Sequence, residues 1–342
     1  LRVSVKKTVK KILAILSVSF LIMPSGGKTV PDIYKNLDHI HIAKEVPEDA
    51  VHKILVVSNR YFDVEDDYTY ARYVHPARKM FWFVVSMTSD SSYITSCSSL
   101  EEAMQFFPAD RNFLVFVNGH GKNFGQVIGR GFEVGLRYDV NMIMFDWPTE
   151  YYALRKTAQN ARKVTKNFAL TIRDLQPIIR NDYPNSNVSV IFHSMGNHIA
   201  RRLVKKEFTR FISQGFFDNL ILNAPAVKQK NHARWVDQLT IQKRIYIVTN
   251  KDDRPLKGAM VLRLAKQLGS EYEEPLAENA FYVNFSHVAG KEHNIFLGRS
   301  APEKENPNIM SFYKMLFQGS EPKLNDSQAF IAGKYKIDFF IQ

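Results

Sequence analysis

From Lys53 onward, short apolar runs alternate with amphipathic stretches, and the change of period marks the elements. HKILVVSNR and RKMFWFVVSM read as strands, and the acidic, tyrosine-rich YFDVEDDYTYARYVHPA between them reads as a loop. FLVFVNGHG, residues 140–145, VSVIFH, NLILNA, RIYIVTN and AFYVNFSHV are further strands. Helical spacing predicts helices over 149–180, after Gly196, over 256–267 and over 309–317. In the helix after Gly196, Ile199, Leu203, Val204, Phe208, Phe211 and Ile212 share one side, and Arg201, Arg202, Lys205 and Lys206 fall mainly on the other. Near-continuous apolar strands alternating with helices predict a mostly parallel, doubly wound sheet covered on both faces.

The region before Lys53 has a different pattern. Arg2, Lys6, Lys7, Lys10 and Lys11 precede the apolar run ILAILSVSFLIM at 12–23, which is too short for a span of ~20 residues and fits a secretory leader. We therefore expect a signal peptide or N-terminal anchor over 1–27, a polar connector over 28–52, one domain over 53–320 and a C-terminal tail over 321–342. Export to the periplasm or beyond follows, with membrane-surface association through the N-terminus as the variant expectation. His39 and His41 in the connector are strand neighbours without a third ligand, so no metal site is expected there. The single cysteine, Cys97, rules out an intramolecular disulfide.

The formal charge is +12, and residues 1–30, with six basic side chains and no acid, account for half of it. The remaining lysines and arginines are scattered, and RRLVKK is a solvated helix face, so no nucleic-acid partner is expected. SGGKT lacks the first glycine of a phosphate loop, since Ile22 stands there. The glycines of GQVIGRGFEVG follow no strand directly and have the wrong spacing for a dinucleotide site.

Candidate chemistry lies at the strand ends, where open α/β sheets gather their functional groups. In VSVIFHSMGNHIA a strand stops at His193 and a helix begins at once, which puts Ser194 on a sharp turn that would expose its hydroxyl. The usual pattern of such a turn is G-x-S-x-G; Gly196 is present, but Phe192 stands at the first position and must point away or shift the helix. The amide of Met195 and one from the earlier Asn118-Gly119-His120-Gly121 loop, that of His120 or Gly121, could hold an oxyanion. RIYIVTN is followed by Asp252 and Asp253, of which one can cap the turn and the other orient a base. The strand Phe281 to Phe285 is followed by His287 and then by His293 in GKEHNIFLG.

FVNGHG, FDWP at 145–148, FHSMGN, DDRPL and EHNIFLG occur in that order, and the chain resembles the α/β-hydrolase superfamily, in detail a poorly characterised bacterial branch of it. The resemblance runs from Lys53 to the last helix and implies a doubly wound sheet of the α/β-hydrolase type without a large cap domain. It places the nucleophile on Ser194, the acid on Asp253 with Asp252 as fallback, and the base on His293 with His287 as fallback. His193 is a competing base whose position beside the nucleophile favours packing. Ala226 stands where relatives carry an acid.

The implied activity is that of an esterase- or lipase-like serine hydrolase, acting on a small-molecule or lipid acyl substrate through an acyl-enzyme, without cofactor or metal. The competing expectation is a catalytically silent hydrolase fold used for binding at the cell envelope, for which Phe192 is the motive. Phe124, Trp147, Tyr151 and Tyr152 near the strand ends could line an acyl pocket or belong to the core.

Overall fold

Alternation of β-branched strands with amphipathic helices produces a twelve-stranded sheet in the computed structural model, which describes residues 40–61, 74–75, 78–149, 154–263, 265–300, 304–323, 330–332 and 338–341. The leader, His39, Tyr151, Tyr152 and most of the acidic loop lie outside the described residues. In chain order the strands are β1 (Ile40–Ala43), β2 (His52–Ser58), β3 (Phe81–Met87), β4 (Ser92–Cys97), β5 (Phe113–Val117), β6 (Asn141–Asp146), β7 (Val188–His193), β8 (Phe217–Asn223), β9 (Gln242–Thr249) and β10 (Ala280–Asn284). A small ribbon, β11 (Arg299–Ser300) and β12 (Lys304–Glu305), precedes β13 (Phe330–Ala332) and β14 (Asp338–Ile341). The helices are α1 (Leu100–Met104), α2 (Phe124–Tyr138), α3 (Leu154–Asp182), α4 (Asn197–Lys205), α5 (Ala233–Val236), α6 (Arg254–Arg263) and α7 (Pro307–Phe317).

The sheet order is β1-β4-β3-β2-β6-β5-β7-β8-β9-β10-β14-β13. From β2 across β6, β5, β7, β8, β9 and β10 to β14 every pairing is parallel, while β2–β3, β3–β4 and β13–β14 are antiparallel. Every residue of β5, β6, β7 and β8 is buried, as strands covered on both faces must be. Adjacent residues of β6 show the two layers. Met144 packs under Gly131 of α2, and Phe145 meets Phe168 of α3 edge to face at 5.1 Å, so α2 and α3 cover opposite faces. Each fully buried aliphatic or phenylalanine side chain contributes roughly 1.5–3 kcal/mol relative to its exposed state.

Local capping explains where the helices start. Asn123 and Gln126 form a reciprocal capping box at α2, and Asn306 accepts from the amides of Asn308 and Ile309 ahead of Pro307 in α7. This is the mostly parallel, doubly wound arrangement expected for an α/β-hydrolase. Cys97 is a buried thiol in β4, and burial pushes its pKa up to about 11.

Several elements differ from the sequence expectation, and β4 and α2 are not among the predicted strands and helices. The helix expected over 256–267 is α6, Arg254–Arg263, and Gln267 lies outside it: Gln267 bridges to Lys228, Leu268 N donates to Val227 O, and Gly269 lies against the Ala224–Pro225 backbone. Part of the connector forms β1, which pairs with β4. The segment read as a C-terminal tail supplies β13 and β14, whose pairing partner β10 lies far back in the sequence.

Candidate active site

The turn after β7 has the geometry that a serine nucleophile requires. Ser194 adopts φ +52°, a left-handed conformation that costs a side-chain-bearing residue roughly 1–3 kcal/mol and persists only where its surroundings enforce it. Those surroundings are named contacts. Asn197 Nδ2 faces the carbonyls of Phe192 (2.6 Å), Ser194 (3.0 Å) and Asn223 (3.4 Å), and Ala226 N donates to Ser194 O at 3.1 Å. The backbone amide of Ala226 therefore braces the turn.

Two glycines make room for it. A Cβ on Gly196 would lie 2.8 Å from Val117 O and 2.9 Å from Asn118 O, so α4 begins pressed against the end of β5. A Cβ on Gly119 would lie 2.7 Å from Ser194 Cβ and 3.3 Å from Ser194 Oγ. Gly119 was not singled out from sequence as the close-approach residue, although the Asn-Gly-His-Gly run was the signal for it. Phe192 needs no space there, because its ring turns into the core against Phe168 at 5.3 Å, and it is fully buried.

Asp253 and His293 come together, although the chain separates them by forty residues. Asp253 is fully buried; its Oδ1 accepts from Leu256 N at 2.9 Å, capping α6, while its Oδ2 lies 2.5 Å from His293 Nδ1. The two tasks expected of separate aspartates are thus performed by the two oxygens of one carboxylate. Asp252 instead points to the surface and binds Lys257 Nζ at 2.8 Å, a hydrogen bond that holds its carboxyl below the usual range. His287 is exposed, beyond the end of β10.

The loop carrying His293 is tied back to the acid loop. Asn250 Nδ2 donates to Gly290 O (2.9 Å) and Glu292 O (3.0 Å), and Glu292 Oε1 accepts from the amides of His293 (3.0 Å) and Asn294 (2.8 Å). His293 stands against His193, the neighbour of Ser194, with ring centroids 4.7 Å apart.

His193 itself is held as a neutral ring. Tyr313 OH donates to Asn223 Oδ1, which turns the Asn223 amide nitrogen toward His193 Nδ1 at 3.0 Å, so that Nδ1 accepts. Burial, reinforced by His293, Arg130 and Lys122, drives its pKa well below the ordinary histidine value. Asn197, Asn223 and Asn250, which sequence reasoning did not mark as separate residues, are the polar hinges of the site. Long-range contacts reveal Asn223 and Asn250, whereas Asn197 stands in the FHSMGN run itself.

The loop after β5 passes directly over Ser194. Trp147 Nε1 donates to Asn118 O at 3.1 Å, Thr149 Oγ1 lies 2.9 Å from both Lys122 N and Lys122 O, and His120 Nδ1 lies 2.8 Å from Thr157 Oγ1 on α3. Gly121 has φ +78° and no atom within 4 Å of a Cβ position, so its glycine is required by conformation and not by space. Met195 is buried among Ala224, Ala226 and Leu256. Phe124 and Trp147, each 1% exposed, are core residues. Among the described residues no group of three or more His, Cys, Asp or Glu side chains could hold a metal ion, and no helix is long and apolar enough to cross a membrane.

Sheet order, covered faces and a strained serine turn define an α/β-hydrolase fold. The chain belongs to the family described as alpha/beta hydrolase of unknown function (DUF900), whose model matches residues 98–289. Among solved structures it is similar to an esterase from Pyrobaculum calidifontis, with 12% identity, 90% of this chain and 92% of that one covered, and a TM-score of 0.39. It is also similar to a thermophilic and thermostable carboxylesterase cloned from a metagenomic library, with 13% identity, 81% and 92% covered, and a TM-score of 0.38. No curated protein matches the sequence.

Proposed function

We propose that the protein is a serine hydrolase of carboxylic esters that works through an acyl-enzyme. The observation that carries this reading is the bond from buried Asp253 to His293 Nδ1, made beside the serine turn. A carboxylate accepting from Nδ1–H keeps the proton off Nε2, which is then the nitrogen able to take a proton from a serine hydroxyl. In the first step Ser194 Oγ attacks the acyl carbon as its proton passes to His293 Nε2, and Asp253 stabilises the imidazolium. The amides of Met195 and His120 hold the oxyanion. His293 then protonates the departing alkoxide, and a water, deprotonated by the same nitrogen, releases the acid and restores Ser194. The scheme uses no cofactor and no metal.

Membership of the family and the His-Ser-Met-Gly-Asn turn support placing the chain among the serine hydrolases of the α/β-hydrolase fold. The substrate is a small-molecule or lipid acyl ester, and the basic-then-apolar segment over 2–23 supports export, with the N-terminus against a membrane surface. The hydrolytic domain is the unit built on the twelve-stranded sheet, from β1 at 40–43 to β14 at 338–341.

Labelling by a fluorophosphonate probe tests the reading. Wild-type protein should label stoichiometrically, and Ser194→Ala and His293→Ala should lose labelling while keeping a wild-type circular-dichroism spectrum. A folded wild-type chain that takes up no probe would favour a silent binding fold instead.

A further inference from the structure

A buried ion pair stands at the carboxyl ends of β2 and β6, with β6 two strands from β7 in the sheet. Arg60 is 3% exposed and Asp146 fully buried; Arg60 Nε lies 3.0 Å from Asp146 Oδ1 and 2.7 Å from Oδ2. Ser58, the register partner of Asp146 in the parallel β2–β6 pair, donates its hydroxyl to Asp146 Oδ2 at 2.6 Å and accepts from Arg60 N at 3.2 Å. The other end of the guanidinium reaches two loops at once, because Nη2 donates to Lys122 O at 3.0 Å and to Trp147 O at 3.1 Å.

Stability is a weak reason for such a pair. Removing two charges from water costs about as much as their attraction returns, and a well-packed apolar pair is commonly as stable. What an apolar pair lacks is a planar fork of donors, and a lysine would offer one compact ammonium in its place. The fork satisfies two loop carbonyls that would otherwise stand at a buried junction without this donor. The loops it joins are the one crossing Ser194, in which Gly119 already sits at contact distance, and the one bearing Trp147, whose indole pins Asn118 O.

We propose that Arg60, oriented by Asp146 and Ser58, is a positioning residue for the oxyanion loop. Resting on the serine-hydrolase reading above, the inference assigns Arg60 the task of holding residues 118–122 so that the His120 amide keeps its aim at the oxyanion. Arg60 touches no reacting atom. Its influence runs through Lys122 O at one end of the loop and, by way of the Trp147 loop, through Asn118 at the other. There is no room for a side chain between Gly119 and Ser194, so a displaced loop moves the amide directly.

Two variants separate positioning from plain stability. Arg60→Lys keeps a cation opposite Asp146 but cannot span both carbonyls; Arg60→Met with Asp146→Leu removes both charges together and leaves no orphaned ion. The measurements are kcat and KM on a chromogenic ester, affinity for a trifluoromethyl ketone that forms an oxyanion on the serine, and amide hydrogen exchange over 118–122. We expect kcat to fall on the order of 100-fold with KM nearly unchanged, ketone affinity to fall by a similar factor, and exchange in the loop to quicken. The pH profile of kcat/KM should keep its shape, since His293 and Asp253 are untouched. Either variant, folded and within twofold of wild type in kcat, overturns the proposal, as does a fall in kcat without the matching fall in ketone affinity. If neither variant folds, the pair is structural and the proposal fails. A wild-type protein that reacts with neither fluorophosphonate nor ester defeats the serine reading itself, whereas a reactive wild type with indifferent variants defeats only the role given to Arg60.

Discussion

Replacing Asp253 by asparagine changes one atom and reverses the logic of His293. In the wild type Oδ1 accepts from Leu256 N and Oδ2 accepts from His293 Nδ1. Asparagine can keep the cap only by leaving its oxygen on Leu256 N, which turns its NH2 group toward Nδ1. Nδ1 must then accept, the ring proton moves to Nε2, and that nitrogen can no longer take the proton of Ser194. The opposite flip sets NH2 against the Leu256 amide and leaves a buried donor unpaired, a loss of about 1–3 kcal/mol. The expected fall in kcat is therefore roughly 10⁴-fold, or about 5–6 kcal/mol in the barrier, with KM little changed. The fold should survive, because the cap is retained; losing it altogether, as in Asp253→Ala, costs a further ~1 kcal/mol. Asp252→Asn is the matched control. Its partner Lys257 lies at the surface, and such a pair is worth at most ~1 kcal/mol with no effect on chemistry. The assay is steady-state hydrolysis of a short-chain chromogenic ester together with the rate of fluorophosphonate labelling. Activity of Asp253→Asn within tenfold of wild type, or a loss in Asp252→Asn alone, would refute the reasoning.

Three further outcomes follow from the geometry. Phe192→Gly restores the small residue of the common serine-turn pattern, yet it should cost roughly 3–5 kcal/mol in urea unfolding, because it empties the space packed against Phe168. Gly119→Ala forces a methyl to 2.7 Å from Ser194 Cβ, so fluorophosphonate labelling should slow by at least ~100-fold while Gly121→Ala acts only through its left-handed backbone. Burial, with Arg130 adding to it, pulls the Lys122 ammonium down to about 8, below the ~10.4 of an unfolded lysine, so its protonation opposes folding below pH 8 and that penalty fades as pH rises through this window. Lys122→Met should accordingly raise stability at pH 7 by up to roughly 3 kcal/mol, and unfolding midpoints measured across pH should show the gain vanishing near pH ~10.5; a constant difference would count against a half-buried charged lysine.

What the chain carries locally was legible without coordinates. Strand type follows from β-branched runs, helix position from period, and the serine turn from the abrupt switch at His193 to Gly196, all of which are short-range properties of the backbone and its neighbours. The parallel sheet was legible for the same reason, because strand-helix alternation leaves few other ways to bury both faces. Choices between equivalent residues were not. Asp252 and Asp253 are adjacent and chemically identical, and only the packing of α6 against the His293 loop buries one and exposes the other. Phe192 looked disruptive because the direction of its ring is set by α3, a partner distant in sequence. The early end of α6, the edge strand β1 and the strands β13 and β14 were missed for a related reason. Each is created by pairing with backbone far away along the chain, and such pairing leaves no periodic mark in the segment that receives it. Arg60 is the extreme case: as a single arginine after a strand it is unremarkable, and tertiary structure alone brings its fork onto Asp146, Lys122 and Trp147.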